Sequence, residues 1–214
     1  MRIRSGFELG YPYSLSRYTD VPHAKWDWFR KQFQMGEMVA FDPTTGVPAR
    51  WLLTSSDTLG FIFWTRAPQR LLASEGLFKR YRLKIHMTIT GWEEVERGAP
   101  NLVEGVRWLK HTVEAFGPEN VSWRFSPVPV VPDVLDRFQR ILDTAATLGL
   151  KGAYVSFLQP NDRIPETRSA VEQLELLRAM GESAAKVGVQ VRLCREAKKE
   201  DKGEPWATAV CAPP

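Results

Sequence analysis

Six short apolar or aromatic runs, each ending in polar residues and most followed by a segment of helical period, limit what this chain can fold into. The runs are 11–17, 59–65, 83–90, 120–128, 152–159 and 189–194. Helical spacing separates them. Trp26, Phe29 and Phe33 recur through 22–36, opened by Pro22 and stopped by Gly36. Val103, Val106, Leu109 and Val113 share a face in 101–117, and 132–149 and 166–188 complete the set. One interruption, around residues 38–54, reads as a hairpin insertion with "DPTTG" as its turn.

Strands alternating with helices imply crossover connections and a largely parallel sheet. Six units are too few for the eightfold barrel, so the expected fold is α/β, a partial (β/α)6 TIM-like barrel, with an open doubly wound sheet as the alternative. One domain is expected over 1–195, followed by a charged tail over 196–214. Both folds place ligands at the C-terminal ends of the strands.

Read strand by strand, that edge gathers Ser14, Ser16 and Arg17 beside Asp20, then Trp64 and Thr65, then Thr88 and Thr90. Arg124 and Ser126 follow, then Ser156 and Gln159, and then Arg192. These are the candidate ligand-binding residues. Arginine at the end of a buried strand needs a carboxylate or an anionic ligand, to which its planar fork is suited. Asp20 is the natural partner for Arg17, whereas no acid lies near Arg124 in sequence, which points to an exogenous carboxylate or phosphate. The strand period puts His86 on the face of Thr88 and Thr90.

Other chemistries drop out. No phosphate-cradling glycine loop, nucleophile elbow or H-E-x-x-H pair is present. Two cysteines, Cys194 and Cys211, are too few for a disulfide framework and read as free thiols; with His86 they form a candidate three-ligand metal site. A net charge of +4 tolerates polyanions without being that of a nucleic-acid arm. No apolar run approaches the roughly 20 residues of a membrane span, and the N-terminus lacks a signal-peptide core, so a cytoplasmic protein without a membrane partner is expected.

"SLSRYTDVP", "FIFWTRAP", "ITGW", "AFGPENVSWRFSPV", "YVSFLQ" and a late cysteine, in this order, resemble an uncharacterised bacterial family related to the radical-SAM enzymes. The resemblance runs from about Ser14 to Cys211 and is carried by Ser14, Ser16, Arg17, Thr19, Asp20, Trp64, Thr65, Trp123, Arg124, Ser156 and Cys194. It implies a partial barrel whose C-terminal C-x-x-x-C-x-x-C triad would hold a [4Fe–4S] cluster open to S-adenosylmethionine. This sequence ends "VCAPP" and has no triad, so no cofactor is expected for it; cluster and S-adenosylmethionine would need a triad outside these residues. Tyr18 replaces the family's second arginine, Arg66-Ala67 its lysine–asparagine pair and Phe125-Ser126 its tyrosine–aspartate pair.

The leading expectation is a cluster-less radical-SAM-like barrel that binds an anionic ligand, whether a small molecule, a nucleotide or nucleic acid. One alternative is a metal-dependent or radical-SAM-type enzyme using Cys194 and Cys211. Another is a protein-interaction module of viral or mobile-element origin, suggested by eight tryptophans and eleven phenylalanines.

Overall fold

In a computed structural model of the chain, the structure describes residues 2–4, 11–16, 19–41, 46–93, 96, 98–158, 168–194 and 207–209. Arg17, Gln159 and Cys211, three of the candidate residues, lie outside the described residues. The fold is α/β with a largely parallel sheet, of the partial-barrel type, and carries the small hairpin as an insertion. Two compact units divide the chain, Met1–Ile85 and His86–Pro214.

The first unit begins with β1 (Arg2–Arg4) and β2 (Tyr11–Ser14), followed by α1 (Val21–Ala24) and α2 (Trp26–Met35). The single helix expected over 22–36 is thus broken at Lys25, whose φ of −132° is not helical. Gly36, at φ 72°, closes α2 in the left-handed conformation open to glycine. The expected insertion is β3 (Glu37–Phe41) paired antiparallel with β4 (Pro48–Leu52), and β1 lies parallel to β4. Then β5 (Thr58–Thr65) lies parallel to β2. Two short turns of helix, α3 (Gln69–Leu72) and a 3-10 turn at Glu75–Phe78, lead to β6 (Arg82–Thr88); neither has enough periodic residues to be legible in the sequence.

Aromatic rings hold this unit together. Phe29 of α2 meets Phe61 and Phe63 of β5 edge-on, with centroids 5.7 and 5.5 Å apart, and Phe33 and Trp26 flank it. Phe78 and Tyr81 close the cluster against Phe61. Each such pair contributes about 0.5–1.5 kcal/mol beyond the area it buries. In the second unit Trp92, Trp123, Phe125 and Phe138 do the same. The abundance of aromatics is therefore largely a property of two cores, which removes the main reason for expecting an interaction module.

The opening stretch of the first unit is a lock between strand and helix. Asp20 is the N-cap of α1: its Oδ1 accepts from the His23 amide at 3.0 Å. Its Oδ2 accepts from the Thr65 hydroxyl at 3.0 Å and from the Arg66 amide at 2.8 Å, at the end of β5. The buried Ser16 hydroxyl accepts from the Val21 amide. Thr65 is 2% exposed and lies on the same face of β5 as Phe61 and Phe63, which pack on α2. Ser16, Asp20 and Thr65, expected at a ligand edge, thus have structural partners, because a helix start and a strand end each leave backbone donors that need acceptors. Ser14 is exposed at the end of β2, and Trp64 lies on the opposite face of β5 from Thr65.

The second unit follows the rhythm expected from its sequence. After the end of β6 come α4 (Leu102–Phe116), β7 (Val121–Val128), α5 (Val134–Thr147), β8 (Gly152–Phe157), α6 (Ala170–Lys186) and β9 (Gln190–Cys194). Neighbours β7 and β8, and β8 and β9, are parallel. A last strand, β10 (Ala207–Ala209), lies parallel to β9 inside the segment expected as a charged tail. The helices are capped from their own sequence: Asn101 accepts from the Glu104 amide, and Ser169 and Glu172 form a reciprocal capping box. Hydrogen bonds from Ser169 hold the Glu172 carboxyl below the usual carboxylate range.

Two substitutions test these contacts. A Cβ on Gly60 of β5 would lie 2.0 Å from the Arg82 carbonyl oxygen, so Gly60→Ala is expected to destabilise the protein by about 1–3 kcal/mol, the range for overpacking. Gly76→Ala, where a Cβ meets nothing within 4 Å, serves as the control, and equal urea midpoints for both would contradict the close approach. Asp20→Ala removes a cap and two further hydrogen bonds, both accepted by Oδ2, with an expected loss of about 2–3 kcal/mol. Asp20→Asn should recover part of it, and a midpoint for Asp20→Ala equal to wild type would mean the lock carries no stability.

Candidate anion-binding face of the second unit

Strand alternation divides the sheet of the second unit into two chemically different faces. Met87 and Ile89 lie towards α4: the Thr112 hydroxyl reaches the Met87 sulfur, and Ile89 lies so close to Gly105 that a Cβ there would be 2.9 Å from its Cγ2. Trp123 and Phe125 pack on Phe138 of α5, with centroids at 5.0 and 5.4 Å. Ala153, Val155 and Phe157 are the buried positions of β8, and Val191 and Leu193 those of β9. The residues between them, on the other face, are polar.

On that other face the parallel register brings three residues into one row. Arg124 of β7 is the partner of Tyr154 of β8, which is the partner of Arg192 of β9. Neighbouring strands lie about 4.8 Å apart, so the two arginines flank the tyrosine with Cα atoms about 10 Å apart. The Arg192 guanidinium lies 5.8 Å from the Tyr154 ring centroid, and its Nη1 donates to the Tyr154 hydroxyl at 3.4 Å. The other described partner of Arg192 is the Gln190 side-chain oxygen at 3.2 Å, so neither partner is an anion. The imidazole of His86, only 7% exposed, stands edge-on to the Tyr154 ring with centroids 4.8 Å apart.

One step along the strands, the Ser126 and Ser156 hydroxyls hydrogen-bond to each other. A register shift between Phe125 and Val128, which includes the cis Ser126-Pro127 bond, sits at this point of β7. Thr88 ends β6 and is buried. Thr90 lies just beyond that strand, 2% exposed, and its hydroxyl donates to Glu96 at 2.6 Å, so this hydroxyl is tied to a carboxylate in the following loop.

A second polar cluster, beyond the ends of β6 and β7, is structural. The Trp92 indole donates to the Pro127 carbonyl at 3.1 Å. Arg137 lies over the Trp92 ring at 4.8 Å, donates to the Gly91 carbonyl and pairs with Asp133. The hydrogen bond from Arg137 holds the Asp133 carboxyl below its ordinary range. Every polar group named there is matched by a protein group.

The residues expected at a ligand edge thus fall in both units. Arg124, Ser126, Ser156 and Arg192 come together with His86 on one face of the second, and Thr88 lies at the end of the neighbouring strand. Tyr154, the centre of the row, was not among the sequence candidates, although the period of two in "GAYVSF" places it on the face of Ser156. Glu96 was also missed, since it lies in a loop with no periodic signal. The proposed metal site of Cys194, Cys211 and His86 is corrected: Cys194 is disulfide-bonded, so its sulfur is not a free thiol or thiolate ligand, and Cys211 is outside the described residues. Among the described residues no three histidine, cysteine, aspartate or glutamate side chains group as a metal site would require.

No helix among the described residues is long and apolar enough to cross a membrane. No curated protein matches the sequence. Solved structures with similarity include one described as a phosphonomutase from Burkholderia cenocepacia J2315, at 14% identity and a TM-score of 0.46 over 73% of this chain. Another is a sugar phosphate isomerase/epimerase from Parabacteroides distasonis ATCC 8503, at 18% identity and a TM-score of 0.34 over 69% of this chain. This chain spans 65% and 53% of the lengths of those two. A family model covers residues 13–211, nearly the whole sequence, and its description names no radical chemistry. The chain belongs to the family described as "Domain of unknown function (DUF1848)".

Proposed function

We propose that the polar face of the second unit binds an anionic small molecule, held between Arg124 and Arg192. The observation that carries this reading is the row Arg124, Tyr154, Arg192 in register on one face. With their Cα atoms about 10 Å apart on one face, the two long side chains can reach a single anion between them, which would attract both guanidinium groups. Guanidinium groups suit phosphate and carboxylate oxygens because their planar forks donate in pairs. Tyr154 helps orient Arg192, and the His86 ring packs against Tyr154.

The resemblance to radical-SAM-like proteins supports a ligand on this sheet, although the row lies within the strands and not at their ends, and the reading needs neither an iron–sulfur cluster nor S-adenosylmethionine from this chain. With Cys194 in a disulfide, binding without cluster chemistry is the economical form of that kinship. Rossmann-type and P-loop nucleotide binding have no support in the sequence, so the ligand is read as a small anion held by side chains.

Calorimetric titration of the full chain with inorganic phosphate tests the reading. Arg124→Ala and Arg192→Ala are each expected to weaken binding by about 10- to 100-fold, which corresponds to the roughly 1.5–3 kcal/mol of a hydrogen bond to a charged group. Their urea midpoints should stay close to wild type. Absence of phosphate binding by the wild-type chain, or unchanged affinity in both variants, would refute the proposal; unfolding of both variants would make these arginines structural.

A further inference from the structure

We infer that the anion held on this face is a phosphate ester of a short polyhydroxylated compound, with its phosphate on the Arg124, Tyr154, Arg192 row and a hydroxyl on Ser126 and Ser156. The inference rests on the anion-binding reading and adds the identity of the part of the ligand that carries no charge. It starts from the second row. Tyr154 and Ser156 are two residues apart on β8, and Arg124 and Ser126 are two apart on β7, so the serine row lies about 6–7 Å from the arginine row along the strands. Rows this close along the strands can be engaged by one small molecule that carries a phosphate and an alcohol a few carbon atoms apart.

The chemistry of the two rows differs in a way that selects the ligand. The arginine row offers donors, which an anion with only acceptor oxygens can satisfy. The serine row offers both functions. A serine hydroxyl carries one donor and two acceptor lone pairs, so a pair that shares one mutual hydrogen bond still has both a donor and acceptors to offer. A second carboxylate or phosphate would leave those acceptors facing an acceptor. An alkyl group would leave polar atoms unmatched in a largely buried setting, since Ser126 is 2% exposed. An alcohol donates and accepts at one atom and matches the pair. A site built to hydrogen-bond a hydroxyl discriminates strongly against the analogue without it, because its own polar groups are then left unmatched.

Two probes of equal charge separate this inference from simple anion binding. Glycerol 3-phosphate and propyl phosphate share the phosphate ester and the three-carbon chain, and only the first carries hydroxyls. Titrated into the full chain, glycerol 3-phosphate is expected to bind at least about 10-fold more tightly, and Ser126→Ala and Ser156→Ala should each bring the ratio of the two affinities towards one. Free glycerol should not compete at the same concentrations. Equal affinity for the two probes on the wild-type chain overturns the polyol inference while leaving the anion reading standing, and so does a ratio that neither serine variant changes. Binding of neither probe, and none of inorganic phosphate, removes both. The wild-type ratio and the two single variants are separate readouts, so if one variant fails to fold, the wild-type ratio and the other variant still decide between these outcomes.

Discussion

Register between parallel strands is the constraint on which the candidate site depends. Side chains alternate across a sheet with a period of two, so a slip of one residue between β7 and β8 would send Tyr154 towards the helices and bring Val155 beside Arg124. The register is fixed by the buried face. Trp123 and Phe125 must reach Phe138, and Ala153 and Val155 must be covered. Burial of a large apolar side chain contributes about 1.5–3 kcal/mol, so several such residues outweigh the cost of placing arginines side by side on the other face. The core determines the geometry of the polar row.

The same logic explains why some hydroxyls at strand ends became structural and others did not. Thr65 falls on the helix-packed face of β5, where the N-terminus of α1 needs anchoring, and Asp20 joins the two. Thr90 lies just past β6, within reach of Glu96. Ser126 and Ser156 sit on the polar face of two adjacent strands and reach each other. Residue type is shared across these cases; face and position relative to the strand end decide the role.

The polar face also sets what kind of chemistry the second unit is suited to. It offers two guanidiniums, a phenol, an imidazole and paired hydroxyls, and the described residues do not group carboxylates and thiolates into a metal site. Cys194 ends β9 in a disulfide, beside β10, which pairs with that strand. A disulfide-bonded sulfur is neither a nucleophile nor a thiolate ligand. The proposed recognition of charge and of hydroxyl groups would rely on side chains whose positions the strands fix.

Sequence alone determined the alternation of strands and helices, because hydrophobic period, Pro22, Gly36 and the caps at Asn101 and Ser169 act over a few residues. It also determined that Arg124, Ser156 and Arg192 lie in strands and that His86 and Thr88 share a face of one strand, whereas Arg124 and Arg192, expected at strand ends, fall within β7 and β9 because both strands run on past them. Only the tertiary structure decided the rest. Sequence proximity suggested Arg17 as the partner of Asp20, yet the described partners of this aspartate include Thr65 and the Arg66 amide, more than forty residues away. Tyr154 gained its place from strand pairing, an interaction between segments thirty to forty residues apart that leaves no local trace. Register and long-range hydrogen bonds depend on how whole elements pack, and no window of neighbouring residues contains that information.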